Sequence, residues 1–132
     1  MKFSNQIDQT LLIPYTAFMD LIVSDPSLIE VISVLGRKIR TTEKYLTYIA
    51  TEKHTELLNK VEKSASILLA LSDADNVYQK IGEDDDGVYL YYRNIGRYTI
   101  CVISRHLNGD GFVITAYLTT KMKRKGTLIW HK

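Results

Sequence analysis

One change of period organises this chain. Leu57, Leu58, Val61, Ala65, Leu68 and Leu69 recur at helical spacing and lay an apolar stripe along one face. Past Asp75 the repeat shortens to two, and residues 88–93, 98–104 and 112–119 read as strands. Asn94-Ile95-Gly96-Arg97 and Leu107-Asn108-Gly109-Asp110-Gly111 lie between them as hairpin turns, the second carrying an Asn-Gly pair. Helices followed by an antiparallel meander predict an α+β domain, with the helices packed on one face of the sheet.

Upstream of the stripe, Thr41-Thr42-Glu43-Lys44 has the form of a helix start, with a threonine cap and an acid in the first turn. The first helix is expected to run to about Lys53, and the second from about Thr55 to near Ser72, where Asp73-Ala74-Asp75-Asn76 supplies turn formers. The β-branched stretch from Ile29 to Arg40, punctuated by Gly36-Arg37, predicts a strand or hairpin leading into the first helix. Residues 1–27 fit short strands and a helix broken at Pro14 equally well. With 132 residues the chain has one sizeable core to build, so any site must be made from a single domain.

Composition removes several classes of function. The longest apolar stretches are strand-length, far below the roughly 20 residues of a membrane helix, and the N-terminus lacks a cleavage-site pattern, which predicts a cytoplasmic protein. Cys101 is the single cysteine, so neither an intramolecular disulfide nor a zinc-thiolate cluster is expected; its apolar neighbours Ile100, Val102 and Ile103 predict a buried thiol. His54, His106 and His131 are scattered, and Glu83-Asp84-Asp85-Asp86 reads as a solvated approach to the strand after Gly87, so no metal site and no cofactor are expected. A net charge of +2 says little, but the basic residues are gathered at Arg37, Lys38 and Arg40 and again at Lys121, Lys123, Arg124 and Lys125.

Strand alternation predicts that Phe112, Ile114, Ala116 and Leu118 meet the helices while Val113, Thr115, Tyr117 and Thr119 face away. The same count gives Val88, Leu90 and Tyr92 to the core and leaves Tyr89, Tyr91 and Arg93 on the open face, with Arg105 beside Thr99, Cys101 and Ile103. Aromatic rings that stack on bases, followed at once by Lys121 and Lys123, are a chemistry suited to RNA. His54, at the helix junction and off the apolar stripe, has the near-neutral titration that a general acid or base for 2'-oxygen transesterification requires. His106 and His131 read as structural or incidental.

Several fragments in fixed order carry a resemblance: Gly36-Arg37-Lys38-Ile39-Arg40-Thr41-Thr42, Tyr48-Ile49, His54-Thr55-Glu56-Leu57, Asp75-Asn76-Val77, Tyr91-Tyr92-Arg93 and Val113-Ile114-Thr115-Ala116-Tyr117 before Lys121. From Val34 to Trp130 the chain resembles the barnase/EndoU/colicin/RelE-like nuclease superfamily of phages and bacteria. That resemblance implies a nuclease domain over residues 34–132, an α+β fold with two main helices packed on one face of a four-stranded antiparallel sheet; residues 1–33 lie outside it and are expected to form an N-terminal extension packed on the domain. It further implies a metal-independent endoribonuclease of the toxin kind, with RNA as substrate and a neutralising antitoxin as protein partner. Carried over residue by residue, His54 would be the acid/base group, Arg93 the phosphate binder, Thr115 and Tyr117 the positioning groups and Lys121 a charge stabiliser, with Tyr91, Arg105 and Lys123 binding substrate. Tyr48 stands where such families often carry a histidine, and on that departure rests the alternative, a catalytically inactive RNA- or protein-binding module on the same fold.

Overall fold

The computed structural model describes residues 28–54, 56–57, 63–80, 87–107, 110–120 and 126–132. Its elements in chain order are β1 (Leu28–Ile32), β2 (Lys38–Thr42), α1 (Glu43–Tyr48), a π-helical turn (Ile49–Lys53), α2 (Lys63–Ser72), β3 (Asn76–Gln79), β4 (Val88–Ile95), β5 (Tyr98–Leu107), β6 (Asp110–Thr119) and β7 (Thr127–His131). All seven strands belong to one sheet in the order β1-β2-β6-β5-β4-β3-β7. Neighbours run antiparallel except β2 and β6, which pair parallel over Lys38↔Asp110, Ile39↔Gly111 and Arg40↔Phe112.

This corrects the expected architecture. Among the described residues the sheet is mixed and seven-stranded and the α-helices are two short ones, where two main helices on a four-stranded antiparallel sheet are predicted. β3 and β7 are four and five residues long, too short for alternation to separate them from the turns beside them. The β1–β2 hairpin is the strand or hairpin expected over residues 29–40, turning at Gly36 with φ +76°. Thr42 caps α1 as read, its hydroxyl accepting a hydrogen bond from the Tyr45 amide at 3.0 Å. The α-helical pattern then ends at Tyr48 and widens into the π-turn, short of the Lys53 end predicted for an α-helix. Residues 1–27, the acidic run at 83–86 and the Asn108-Gly109 pair lie outside the described residues.

Both faces of the sheet are buried. Leu46, Ile49, Ala50, Leu57, Ile67, Ala70 and Leu71 from the helical segments pack on Ile39, Val77, Tyr91, Ile100, Val102, Val113 and Ala116. On the other face Tyr78, Leu90, Tyr92 and Cys101 form a second buried cluster, with Ile103 and Tyr117 against it. The predicted parity of β4 is therefore inverted: Tyr89 and Tyr91 turn to the helices, and Leu90 and Tyr92 turn away. In β6 a bulge intervenes, because Ile103 pairs with Thr115 while Ser104 pairs with Val113, leaving Ile114 as the extra residue. Ala116 and Leu118 face the helices as expected, but beyond the bulge Val113 takes the inward place read for Phe112. Where both sets of a strand are apolar or aromatic, alternation cannot say which set meets the helices.

A polar knot is built into the helix-side core. Tyr91 is fully buried, and its hydroxyl donates to Ser33 Oγ at 2.9 Å and lies 3.2 Å from His106 Nε2. Ser104 Oγ is 2.9 Å from the same nitrogen, and the His106 ring stacks on Tyr89 at 4.1 Å. Ser33 Oγ also accepts from the amides of Leu35 and Arg37, so the β1–β2 turn is tied to β4 and β5. Gly87 makes this possible: its carbonyl accepts the His106 amide at 2.6 Å, its φ is +80°, and a Cβ there would strike the His106 carbonyl. Among the described residues no helix is long and apolar enough to cross a membrane.

Burial, with the nearby Arg37 charge adding to it, pulls the His106 imidazole down to about 4 from its ordinary 6.5. The folded state thus binds this proton less readily than the unfolded chain, so the contribution is complete above pH 6.5 and is lost as pH falls from 6.5 towards 4. Urea unfolding across that window should show the parent losing more stability than a His106→Gln variant, by up to about 3 kcal/mol. Parallel curves for the two proteins would show that His106 is not the group responsible.

Candidate functional site

β6 sets the position of the site. Its inner edge pairs with β5 from Thr119 to Asp110, but its outer edge pairs with β2 only over Asp110–Phe112. Backbone groups farther along that edge need other partners. Side chains from the helical segment supply them: the Tyr45 hydroxyl donates to the Ile114 carbonyl at 2.6 Å, and Glu56 Oε2 accepts from the Leu118 amide at 3.4 Å. The segment between them consequently runs beside β6 and brings its last polar residues to the edge.

His54 ends the π-turn, its amide donating to the Ile49 carbonyl at 2.8 Å and its carbonyl accepting from the Leu57 amide at 3.0 Å. Its Nδ1 lies 3.4 Å from Glu56 Oε2, the oxygen that also meets the Leu118 amide, and its ring sits 5.7 Å from that of Tyr117. A carboxylate at Nδ1 favours the tautomer protonated there and makes Nε2 the basic nitrogen. Desolvation lowers the His54 pKa from its ordinary value, Glu56 opposes that shift, and the Lys53 charge adds to it. At neutral pH the imidazole is uncharged and able to take a proton. Burial likewise brings the Lys53 ammonium down to about 8. Two adjacent groups therefore titrate on either side of neutrality, a feature that clusters at functional sites.

Glu56 also bounds an open cleft of about 340 Å³, together with Tyr98, Leu118, Thr119 and Thr120. It lies at the end of the sheet where β5 begins and β6 ends, with Thr99 paired to Thr119.

The residues singled out from sequence are only partly brought together. Thr115 and Tyr117 share the face opposite the helices, and Tyr117 touches His54. The Thr115 hydroxyl is buried and has no hydrogen-bond partner among the described residues. Arg105 lies on the same face, opposite Val88 and Phe112. Tyr91 and Arg93 do not join them. Tyr91 is in the helix-side core, and Arg93 pairs with Ile100 on that side and reaches Asp73 at 3.5 Å. Asp73 also holds Lys132 at 3.0 Å, so Arg93 belongs to an ion cluster fastening the chain around α2, β3 and β7. Lys121 and Lys123 lie outside the described residues.

The face expected to be open is itself largely buried. Tyr92 is 1% exposed and Cys101 0%, which leaves no platform on that part of the sheet for stacked bases. Burial pushes the Cys101 thiol up to about 12, so it is no thiolate nucleophile, and it raises the Tyr117 phenol, which stays protonated. Glu56 is the residue that sequence reading passed over, although an acid two positions after a histidine was a visible signal. Lys53, Tyr98, Thr119 and Thr120 carried no such signal. Among the described residues no group of three His, Cys, Asp or Glu side chains is placed to hold a metal ion.

The His54 ring protons, followed by NMR, should titrate with a midpoint below 6.5, and Glu56→Gln should lower it further by removing the charge that favours imidazolium. A midpoint raised by that substitution would mean that Glu56 does not govern His54. Compared with protein-family models, with curated proteins and with solved structures, the chain matches none, so its function is to be read from its own residues.

Proposed function

We propose that this chain is a small acid–base endoribonuclease working at the outer edge of β6, with His54 as the proton-transfer group and Glu56 as the residue that positions it. The observation that carries the reading is the His54–Glu56 pair, 3.4 Å apart, half-buried and backed by Tyr117. In the first step His54 Nε2 takes the proton of a ribose 2'-hydroxyl, the 2'-oxygen bonds to phosphorus, and the phosphorus–5'-oxygen bond breaks. The 5'-oxygen leaves with a proton, for which Lys53 is the nearby donor, and a 2',3'-cyclic phosphate remains. No metal is assigned a part, and activity is expected to persist in chelator.

The toxin role and an antitoxin partner rest on the family resemblance. One observation favours the alternative of a binding module without catalysis: Arg93, the phosphate fork of the sequence reading, is engaged by Asp73 on the helix side, and Tyr91 is buried there too.

Cleavage of single-stranded RNA in excess chelator should fall about 10²- to 10⁴-fold in His54→Ala, the usual worth of a general acid or base. The variant should unfold at nearly the parent's urea concentration, because His54 is partly exposed and outside the apolar core. kcat/KM should rise with pH through a midpoint below 6.5, as His54 loses its proton, and fall again near 8, as Lys53 loses its own. RNA binding without cleavage by the parent would transfer the function to the binding-module reading, and an His54→Ala protein as active as the parent would end the acid/base assignment.

A further inference from the structure

The cleft beside the pair is left without a task by proton transfer alone. Its walls are Tyr98, Leu118, Thr119, Thr120 and Glu56, of which Thr120 is exposed and the others half-buried, so it opens to solvent. Among the described residues of the wall Glu56 is the one that carries a charge, and its carboxylate opposes entry of a phosphate. What remains is an aromatic ring, an aliphatic wall and two threonine hydroxyls, each hydroxyl able both to donate and to accept. That combination suits a flat, uncharged heterocycle with hydrogen-bonding edges. About 340 Å³ is at the small end of ligand pockets, room for one nucleoside and not for a run of stacked bases.

We infer that this cleft receives a single unpaired nucleobase, with Tyr98 as its stacking surface and Thr119 and Thr120 as the groups that read its edge. The inference rests on the ribonuclease reading for its consequence, which base flanks the scissile phosphate, but not for the binding itself. Glu56 is common to the two regions, contacting His54 and also bounding the cleft. A nucleotide lying across it has its uncharged base in the cleft and its phosphate on the side of His54 and Lys53. Only an unpaired or extruded base reaches such a cleft, so duplex RNA is a poor substrate.

Binding is tested without cleavage by titrating the intact protein with adenosine, guanosine, cytidine and uridine in turn, and with inorganic phosphate, while NMR follows Tyr98, Thr119 and Thr120. At least one nucleoside should shift these three residues saturably, and phosphate should leave them unmoved. Tyr98→Ala should weaken that binding about 5- to 100-fold, the range for loss of one base–aromatic stack, while Tyr98→Phe restores most of it. Thr119→Val and Thr120→Val should change the order of preference among the four nucleosides. A parent that moves these residues with no nucleoside, or a Tyr98→Ala protein that binds as well as the parent, overturns the inference. Nucleoside binding at the cleft in a protein that cleaves no RNA upholds the subsite and removes the nuclease. His54-dependent cleavage with no nucleoside effect at Tyr98 does the reverse.

Discussion

The structure depends on how the outer edge of β6 is closed. A strand so deep in a sheet must satisfy backbone groups on both sides, yet β2 pairs with β6 over three residues and then diverges. Tyr45 and Glu56 add side-chain hydrogen bonds to that edge, at Ile114 and Leu118. Those two contacts dictate the course of α1 and the π-turn, and His54 is carried to the edge as a result. The candidate chemistry is thus a by-product of protecting a strand: Glu56 has a structural reason to be where it is, and the same oxygen then meets the imidazole. An extra residue in the π-turn suits the same purpose, since widening the helix by one residue changes the direction in which the following side chains leave it.

Burial of both sheet faces is the second constraint, and it moves the candidate site. A sheet covered on one side alone has an open platform on which bases can stack. Here the row Tyr117, Cys101 and Tyr92, running across β6, β5 and β4, is packed away with Tyr78 and Leu90, so accessible chemistry is confined to edges and ends. The helix-side face contains the costlier residues. His106, Tyr91, Ser33 and Ser104 are polar, buried and mutually hydrogen-bonded, and low local dielectric makes such a knot strong when paired and expensive when broken. Among the described residues His106 Nδ1 has no hydrogen-bond partner, so one nitrogen of this ring is buried unsatisfied.

Much of the local structure was legible from the residues alone. Thr42 as a cap, Gly36 and Gly96 at hairpin turns, and long strands over most of residues 88–119 follow from short-range chemistry that needs no knowledge of neighbours. The faces were not legible in the same way. β4 reads Val-Tyr-Leu-Tyr-Tyr, where either set of alternate residues fits a core, and the bulge at Ile114 breaks the parity that β6 would otherwise keep throughout. Counting along the strands puts Arg93 and Tyr91 on the face of Tyr117, and the inverted parity of one strand separates them from it.

By itself, then, the sequence determined that helical segments precede a run of long antiparallel strands, that Cys101 sits in an apolar strand, and that His54 falls at a helix end. These are properties of hydrophobic period and of turn and cap chemistry, all settled within a few residues. The tertiary structure alone decided that seven strands share one sheet, that β2 joins β6 in parallel, and that Glu56 rather than Arg93 is the companion of His54. Those outcomes depend on which strand lies beside which, and on the hydrogen bonds left unmade when two strands diverge. Such demands arise only once distant parts of the chain have met.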